Sequence, residues 1–513
     1  MSSVPSVEVL TESLYFAYRK AKADVYYRFR NPLALLAYET GLENNIEALA
    51  YAIWNGDDSF FHNPNFTGSA TFAPKGLART PNFDNANTVF SSPSKSWNAL
   101  IEKKSQSENK KIEAEYRLVS ECGVGMHVLS ALWVRFVGAD IENQLFAGRP
   151  YANRIRRTRK SNDYNRFSIG TFDRYLDGYR EWINNATDAM DRLITKNKDI
   201  VSFSTDASAY FHSIPTTILE DREFTKKYLT HKDEAWFERR LTKCMSIALK
   251  SWESNTLEAL AINNSDKSQV TLGLPVGLSC SALIGNVILD GFDKDVLEQV
   301  KPEYYGRYVD DISIVMEGHE ELNSPGSLWK WLGRRIENLE IGIKSKVSSD
   351  ASEADSEDTL NNLEVAYYPF GRSTSALGSH RSQIGSLKVD FKVEKTHLLL
   401  ADHSSGKRAV DALRNALQEK SSEWRLLSHL PANSKDIGPD MIAAFDTSGS
   451  PAVRSSQLKE LSAQRGSVSL WLRDLEQLAR LCDPGSWESH RAEFYKVIRE
   501  QIFTPLHLFD YYN

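Results

Sequence analysis

Three aspartates sit at the ends of short apolar runs in this chain. Asp206 closes the run 200–206 (IVSFSTD), and Asp310 with Asp311 interrupts 304–316 (YYGRYVDDISIVM), where two apolar runs flank a polar pair. The first pattern predicts a buried strand over 200–204 with its acid at the end, the second a β-hairpin with acids at the turn. Carboxylates gathered in this way are oxygen donors suited to magnesium, which keeps several waters and needs few protein ligands. Two such ions about 3.5 to 4 Å apart activate a hydroxyl and hold a triphosphate, so the chemistry available to these residues is nucleotidyl transfer. Taken singly, each acid also reads as a solvated turn residue.

The surrounding patterns supply a mixed α+β frame. Between the two strand signals lie a helical stretch, 234–261, and the run GLPVGLSCSALIGNVILDGFD, a Gly-rich loop feeding an apolar helix. Upstream, Leu10, Leu14, Ala17, Ala21 and Val25 recur at helical spacing over 6–30, a helix expected to continue toward 33–38. Residues 55–110 are rich in Asn, Ser, Pro and Gly and read as irregular. Strands are expected at 114–119 and in the apolar run after His127, and a long helix over 171–195. Residues 347–383 open with VSSDASEADSED, where Asp350, Glu353, Asp355, Glu357 and Asp358 forbid burial, so a surface insertion is expected, with 363–368 a further strand. From 409 onward the patterns turn helical, over 409–427, 455–481 and 487–502. A chain of 513 residues should hold about three folding units.

A formal net charge of −6 argues against a protein that coats nucleic acid generally, which takes many cationic contacts with phosphates. Such a partner must be held locally. The segment 148–166 (GRPYANRIRRTRKSNDYNR) carries Arg149, Arg154, Arg156, Arg157, Arg159, Lys160 and Arg166 against Asp163 alone, although it also reads as a solvated basic loop. Cys122, Cys244, Cys280 and Cys482 lack zinc-site spacing and are expected as buried thiols. No apolar run reaches the roughly 18 residues of a membrane-spanning helix, and MSSVPSVEVLTESLYFAYRK shows no secretory pattern. Cytoplasmic residence without a membrane role is therefore expected.

Read with their neighbours, the three acids resemble the ordered motifs of the reverse transcriptase family. FSTDASAYFHSI looks like its first palm motif, an acid followed five residues later by an aromatic; GLPVGLSCSALIGN resembles the second, and YVDD the third. The intervals, about 70 residues and then about 35, also suit the family. VEKTHLL at 393–399 is similar to the fourth palm motif, and 117–157 resembles the fingers more weakly. The resemblance implies a right-hand-type polymerase: an N-terminal helix at 1–40, a fingers-like region at 41–199, a palm at 200–400 with the acidic insertion, and an all-α C-terminal domain at 401–513.

By position, the family's roles fall as follows. Asp206 and Asp310 would ligate both Mg2+ ions, the carbonyl of Ala207 would add a ligand, and Asp311 would support the site. Phe211 stands where the family places an aromatic gate against a ribose 2′-hydroxyl, since a ring beneath the sugar leaves no room for the extra oxygen; a core aromatic is the other reading. Arg117 matches the arginine that clamps the triphosphate of the incoming dNTP, or is a surface ion-pair partner. Gly277 belongs to the nucleotide site, and Lys395 would approach the leaving pyrophosphate as an acid, or is a solvated lysine. Two departures stand out. Val276 replaces the glutamine of the usual Pro-Gln-Gly, removing an amide that would face the nucleotide, and the interval from Asp311 to Lys395 is far longer than usual.

The short fingers, YVDD palm and helical C-terminal domain most resemble the defence-associated and abortive-infection reverse transcriptases of bacteria. That likeness implies phage resistance, homo-oligomers, DNA synthesis that is untemplated or copies a noncoding RNA, and priming from a tyrosine of the protein, for which Tyr511 and Tyr512 in HLFDYYN are the first candidates and Tyr15 and Tyr18 the second. A templated intron- or retron-type enzyme and a catalytically silent RNA-binding scaffold remain open alternatives.

Overall fold

The structure is a computed structural model and describes residues 6–28, 32–77, 114–146, 150–158, 162–229, 235–260, 272–319, 321–343, 363–371, 387–403, 407 and 410. The acidic stretch 347–362 and the expected C-terminal helices lie outside these residues, as do Tyr511, Tyr512 and Cys482. Contacts divide the chain into two units, Met1–Thr71 with Ser120–Ala412, and Phe72–Val119 with Leu413–Asn513.

The first unit begins with α1 (Val7–Arg28), α2 (Pro32–Thr40) and α3 (Leu42–Asn55). The expected single helix is thus two elements, the second starting at Pro32, a residue suited to a first helical turn. Leu10, Leu14, Ala17, Ala21 and Val25 are all buried, as the helical spacing requires. β1 (Ser69–Leu77) and β2 (Ala114–Glu121) form a two-stranded sheet.

The apolar run after His127 is a helix, α4 (Val124–Trp133), where a strand was expected. It continues through a π-helical turn into α5 (Ala139–Gln144). Every residue of α4 is buried, and a helix covered on all sides has no polar face to betray its period. The continuous span Val124–Gln144 is long and apolar enough to cross a membrane by composition, but 78% of its most apolar window is buried inside the protein, so it is a core helix.

α6 (Tyr175–Thr195) packs on the sheet that carries the acids. That sheet has the antiparallel order β4-β5-β3-β9, built from β3 (Ile200–Asp206), β4 (Tyr304–Tyr308), β5 (Asp311–Glu317) and β9 (His397–Ala401). Between β3 and β4 run α7 (Trp236–Ala259), α8 (Ser279–Ile288) and α9 (Asp290–Asp295). α10 (Pro325–Gly333) precedes a three-stranded sheet of β6 (Leu339–Ile343), β7 (Leu363–Tyr367) and β8 (Val389–Phe391). The expected strand after the acidic stretch is β7. Cys244 and Cys280 are buried and Cys122 half-buried, all three as free thiols.

Candidate active site

The register of the sheet brings the acids together. Asp206 is opposite Asp311 across the β3–β5 ladder, and the Ala207 amide, one residue past the strand, donates to the Asp310 carbonyl at 3.1 Å. Tyr308 is opposite Asp311 across β4–β5, which leaves Val309 and Asp310 as a two-residue turn. Two-residue hairpin turns need left-handed backbone and normally use glycine, asparagine or aspartate. Here Val309, a β-branched residue, takes φ +58°.

Arg307 holds that turn. Its Nη1 donates to the Val309 carbonyl at 2.8 Å and its Nη2 to the Asn286 carbonyl of α8 at 2.9 Å, while Nε and Nη2 bind the Asp293 carboxylate. Tyr305 also donates to Asp293. The arginine is fully buried and its charge is strongly favoured by the Asp293 carboxylate, despite the burial. The sequence reading passed over Arg307, although a cation inside an apolar strand is itself a sign of a buried partner.

Burial and neighbouring charge act on two of the acids. Burial, then the Asp206 charge, raises the carboxyl of Asp310. Asp311 is pushed up to about 7 by the surrounding protein and by the charges of Asp310 and Asp206. Its surface is nonetheless open to solvent, and water screens part of that cost. Lys395, at the end of the single turn Val393–Lys395 that leads into β9, donates its ammonium to Asp206 Oδ2 at 2.5 Å. The expected partner was pyrophosphate; the lysine is instead paired with the first acid.

Hard carboxylate oxygens gathered so that the Asp206 charge raises Asp310 and both of these charges raise Asp311 fit a divalent cation, which relieves that repulsion. Among the described residues no three His, Cys, Asp or Glu side chains already form a metal cluster. Two carboxylates with water and phosphate oxygens suffice for magnesium, so the donor set is compatible.

Phe211 follows the β3 acid by one short turn. Its carbonyl accepts from the Leu274 amide at 2.8 Å, and the ring lies so close to Gly285 of α8 that a Cβ there would stand 3.0 Å from it. Gly273, at φ +71°, allows the loop to run against residues 211 and 212, where a Cβ would come within 2.3 Å of the His212 Cα. Gly277 is buried at φ +112°, and Val276 is 40% exposed with its amide donating to Ser120 Oγ at 3.1 Å. Ala207 is buried. Arg117 lies on β2, with its side chain outside the described residues.

The basic segment is an irregular ribbon instead of an open loop. Ile155 bridges to Phe172 and Arg157 to Tyr164. Arg154 and Arg157 converge on buried Glu142 of α5, at 3.2 and 2.9 Å, and Arg156 donates to the Ile169 carbonyl at 2.5 Å. Buried Lys20 of α1 donates to the carbonyls of Asn165 and Gly170 and to Ser168 Oγ, which fixes the returning strand. Arg149, Arg159 and Lys160 lie outside the described residues. Tyr18 is buried with its hydroxyl on Glu39, so it is not displayed as a primer would need to be.

A cluster that the sequence reading missed flanks Asp311. Tyr175 and Tyr179 of α6 stack with centroids 6.0 Å apart and planes 7° from parallel, and both meet Tyr308 edge-on at 5.2 and 5.4 Å. Their i, i+4 spacing was the available signal.

An antiparallel sheet that sets a strand-end carboxylate against a hairpin acid pair, with an aromatic and a lysine beside it, defines a palm-type nucleotidyltransferase. Residues 103–345 match the family model described as reverse transcriptase (RNA-dependent DNA polymerase). The segment is therefore a reverse transcriptase domain, and the chain carrying it is an RNA-directed DNA polymerase. Such domains use divalent metal ions, typically Mg2+. The match spans Asp206, Phe211, Gly277, Asp310 and Asp311 but ends before Lys395. No curated protein matches the chain.

Proposed function

We propose that this chain adds deoxynucleotides to a hydroxyl at Asp206, Asp310 and Asp311 by two-metal nucleotidyl transfer, in the service of anti-phage defence. The observation that carries the catalytic part is the register placing Asp206 opposite Asp311 with the Ala207 amide on the Asp310 carbonyl, inside the reverse transcriptase domain. Asp206 and Asp310 would hold the Mg2+ ions, joined by the Ala207 carbonyl. When bound, the ions supply a lowered proton affinity at the attacking hydroxyl and charge neutralisation at the phosphates. Asp311 keeps the local field negative, Phe211 bars a 2′-hydroxyl, Gly277 and Arg117 contact the nucleotide, and Lys395 leaves Asp206 to meet the departing pyrophosphate.

The test is incorporation of labelled dNTP with magnesium. Asp310→Asn with Asp311→Asn should abolish it while circular dichroism stays unchanged; wild-type incorporation by this double variant would sink the assignment. A silent scaffold would show no incorporation in the parent either.

The defence reading rests on the likeness of the short fingers, the YVDD palm and the expected helical C-terminal domain to the abortive-infection enzymes, and brings with it a homo-oligomer in the cytoplasm. It is supported if expression lowers phage plating and the double variant does not. The template is an associated noncoding RNA, held through phosphates by Arg149, Arg159 and Lys160 of the basic segment, or is absent. Glu142 engages Arg154 and Arg157, and the Ile169 carbonyl engages Arg156. Sequencing copurified RNA decides, since synthesis from dNTPs alone without bound RNA favours the untemplated form. Priming falls to Tyr511 or Tyr512: label should travel with the protein on a denaturing gel and vanish in the double Tyr→Phe variant.

A further inference from the structure

We propose that the stacked rings of Tyr175 and Tyr179 form a platform for a nucleobase, that of the terminal nucleotide whose hydroxyl is extended. The proposal rests on the polymerase reading and adds a subsite to it. A polymerase site must receive two reactants from different directions. In the sheet order β4-β5-β3-β9, Lys395 precedes β9 and Phe211 follows β3, so the groups suited to a triphosphate and its sugar occupy one side of the acids. The two tyrosines occupy the other, over Tyr308 on the edge strand β4.

Their geometry suits a flat ligand. The rings are nearly parallel, at 7°, and Tyr175 is 57% exposed, unusual for so large an aromatic beside a buried sheet. The Asp311 charge reaches both phenols, so the rings lie within electrostatic range of the catalytic carboxylate. The platform is also fixed in advance. Tyr308 donates its hydroxyl to the Tyr175 carbonyl at 3.1 Å, Trp182 packs against Tyr179 at 5.7 Å, and Gly178 lets the helix approach Tyr151, where a Cβ would stand 2.4 Å from the carbonyl oxygen. Rings held still before binding lose little freedom on capture, and every base has a face to stack, so the contact tolerates any sequence.

The test uses the full chain and a DNA primer annealed to RNA, with 2-aminopurine at the primer's 3′ end, mixed without divalent metal. The parent should quench the fluorophore. Tyr175→Ala should lose the quenching and bind the duplex about 10- to 100-fold more weakly, while Tyr175→Phe keeps both properties. In extension assays Tyr175→Ala should raise the KM for primer and leave the KM for dNTP unchanged. Parent-like affinity and quenching in Tyr175→Ala overturn the platform, as does a rise confined to the KM for dNTP, which would make the rings a seat for the incoming base. Failure of the parent to incorporate labelled dNTP on any hydroxyl, an added primer's or the protein's own, would strike the polymerase reading alone, because quenching is read without catalysis.

Discussion

Arg307 and Asp293 are joined by two hydrogen bonds, Nε to Oδ1 at 2.8 Å and Nη2 to Oδ2 at 2.6 Å, with both side chains sealed from solvent. The pair ties the hairpin that bears Asp310 and Asp311 to α9, and through the Asn286 carbonyl to α8. It is the internal strut on which the Val309 turn is braced. Removing one partner strands the other charge in the core, so Arg307→Met should cost about 3–5 kcal/mol of stability, read as a fall in the urea midpoint. A double Arg307→Met, Asp293→Leu variant should recover much of that loss but not the polymerase rate, because the Val309 carbonyl has lost its donor. Recovery of both would show that the pair matters only for packing.

Phe211 gives the second prediction. If the ring lies beneath the sugar, truncation to Ala opens that space, and discrimination between dNTP and rNTP should fall by roughly 10- to 200-fold, measured as the ratio of kcat/KM values. Gly273→Ala should damage the same property indirectly, by forcing apart backbone that now passes within contact distance. Unchanged sugar selection in Phe211→Ala would place the ring in the core and nowhere near the nucleotide.

The acids make stability depend on pH. Asp310 and Asp311 have folded values above the ordinary 3.8, Asp311 at about 7. The folded state therefore binds more protons than the unfolded one between these limits, and stability contributed here falls as pH rises from about 4 through 7. Thermal melts of the metal-free protein should show that decline, and MgCl2 should raise the Tm more at pH 8 than at pH 5. A metal response independent of pH would remove these carboxylates from the binding site.

Lys395 supplies the fourth. If the ammonium leaves Asp206 to protonate pyrophosphate, Lys395→Met should slow single-turnover incorporation by about 10²- to 10⁴-fold with little change in dNTP affinity. The same change withdraws the positive charge that lowers the proton affinity of Asp310 and Asp311, so the pH decline should steepen. A parent-like rate would leave the lysine as a simple partner of Asp206.

The strands that carry the three acids were legible because short apolar runs announce both strand and terminus, while the acids themselves stood out as a set only through the ordered motifs around them. Ile200–Asp206 and the Asp310 turn needed nothing beyond period and punctuation. What escaped notice depended on distant partners. Glu142 precedes Arg157 by fifteen residues and carries no local mark of its partners, yet it neutralises two of the arginines read as cations for RNA. Lys395 and Asp206 meet across 189 positions. The α4 run was misjudged for a local reason: a helix buried on every side shows the same uninterrupted apolarity as a buried strand.

Pro150 pairs in parallel with Arg307, and the Tyr151 amide donates to the Arg307 carbonyl at 2.8 Å. β4 is the outer strand of its sheet, and an outer strand with free backbone groups invites a neighbouring molecule to add its own. Here the margin is closed by a residue without an N–H and by the one that follows it. A second copy could extend the sheet at this margin only by first stripping Pro150 and Tyr151 from the strand that leads into the Val309–Asp310 turn. Self-association by strand addition at β4 would thus come at the expense of the active site, which makes the closure a guard against aggregation and directs any productive assembly to another face.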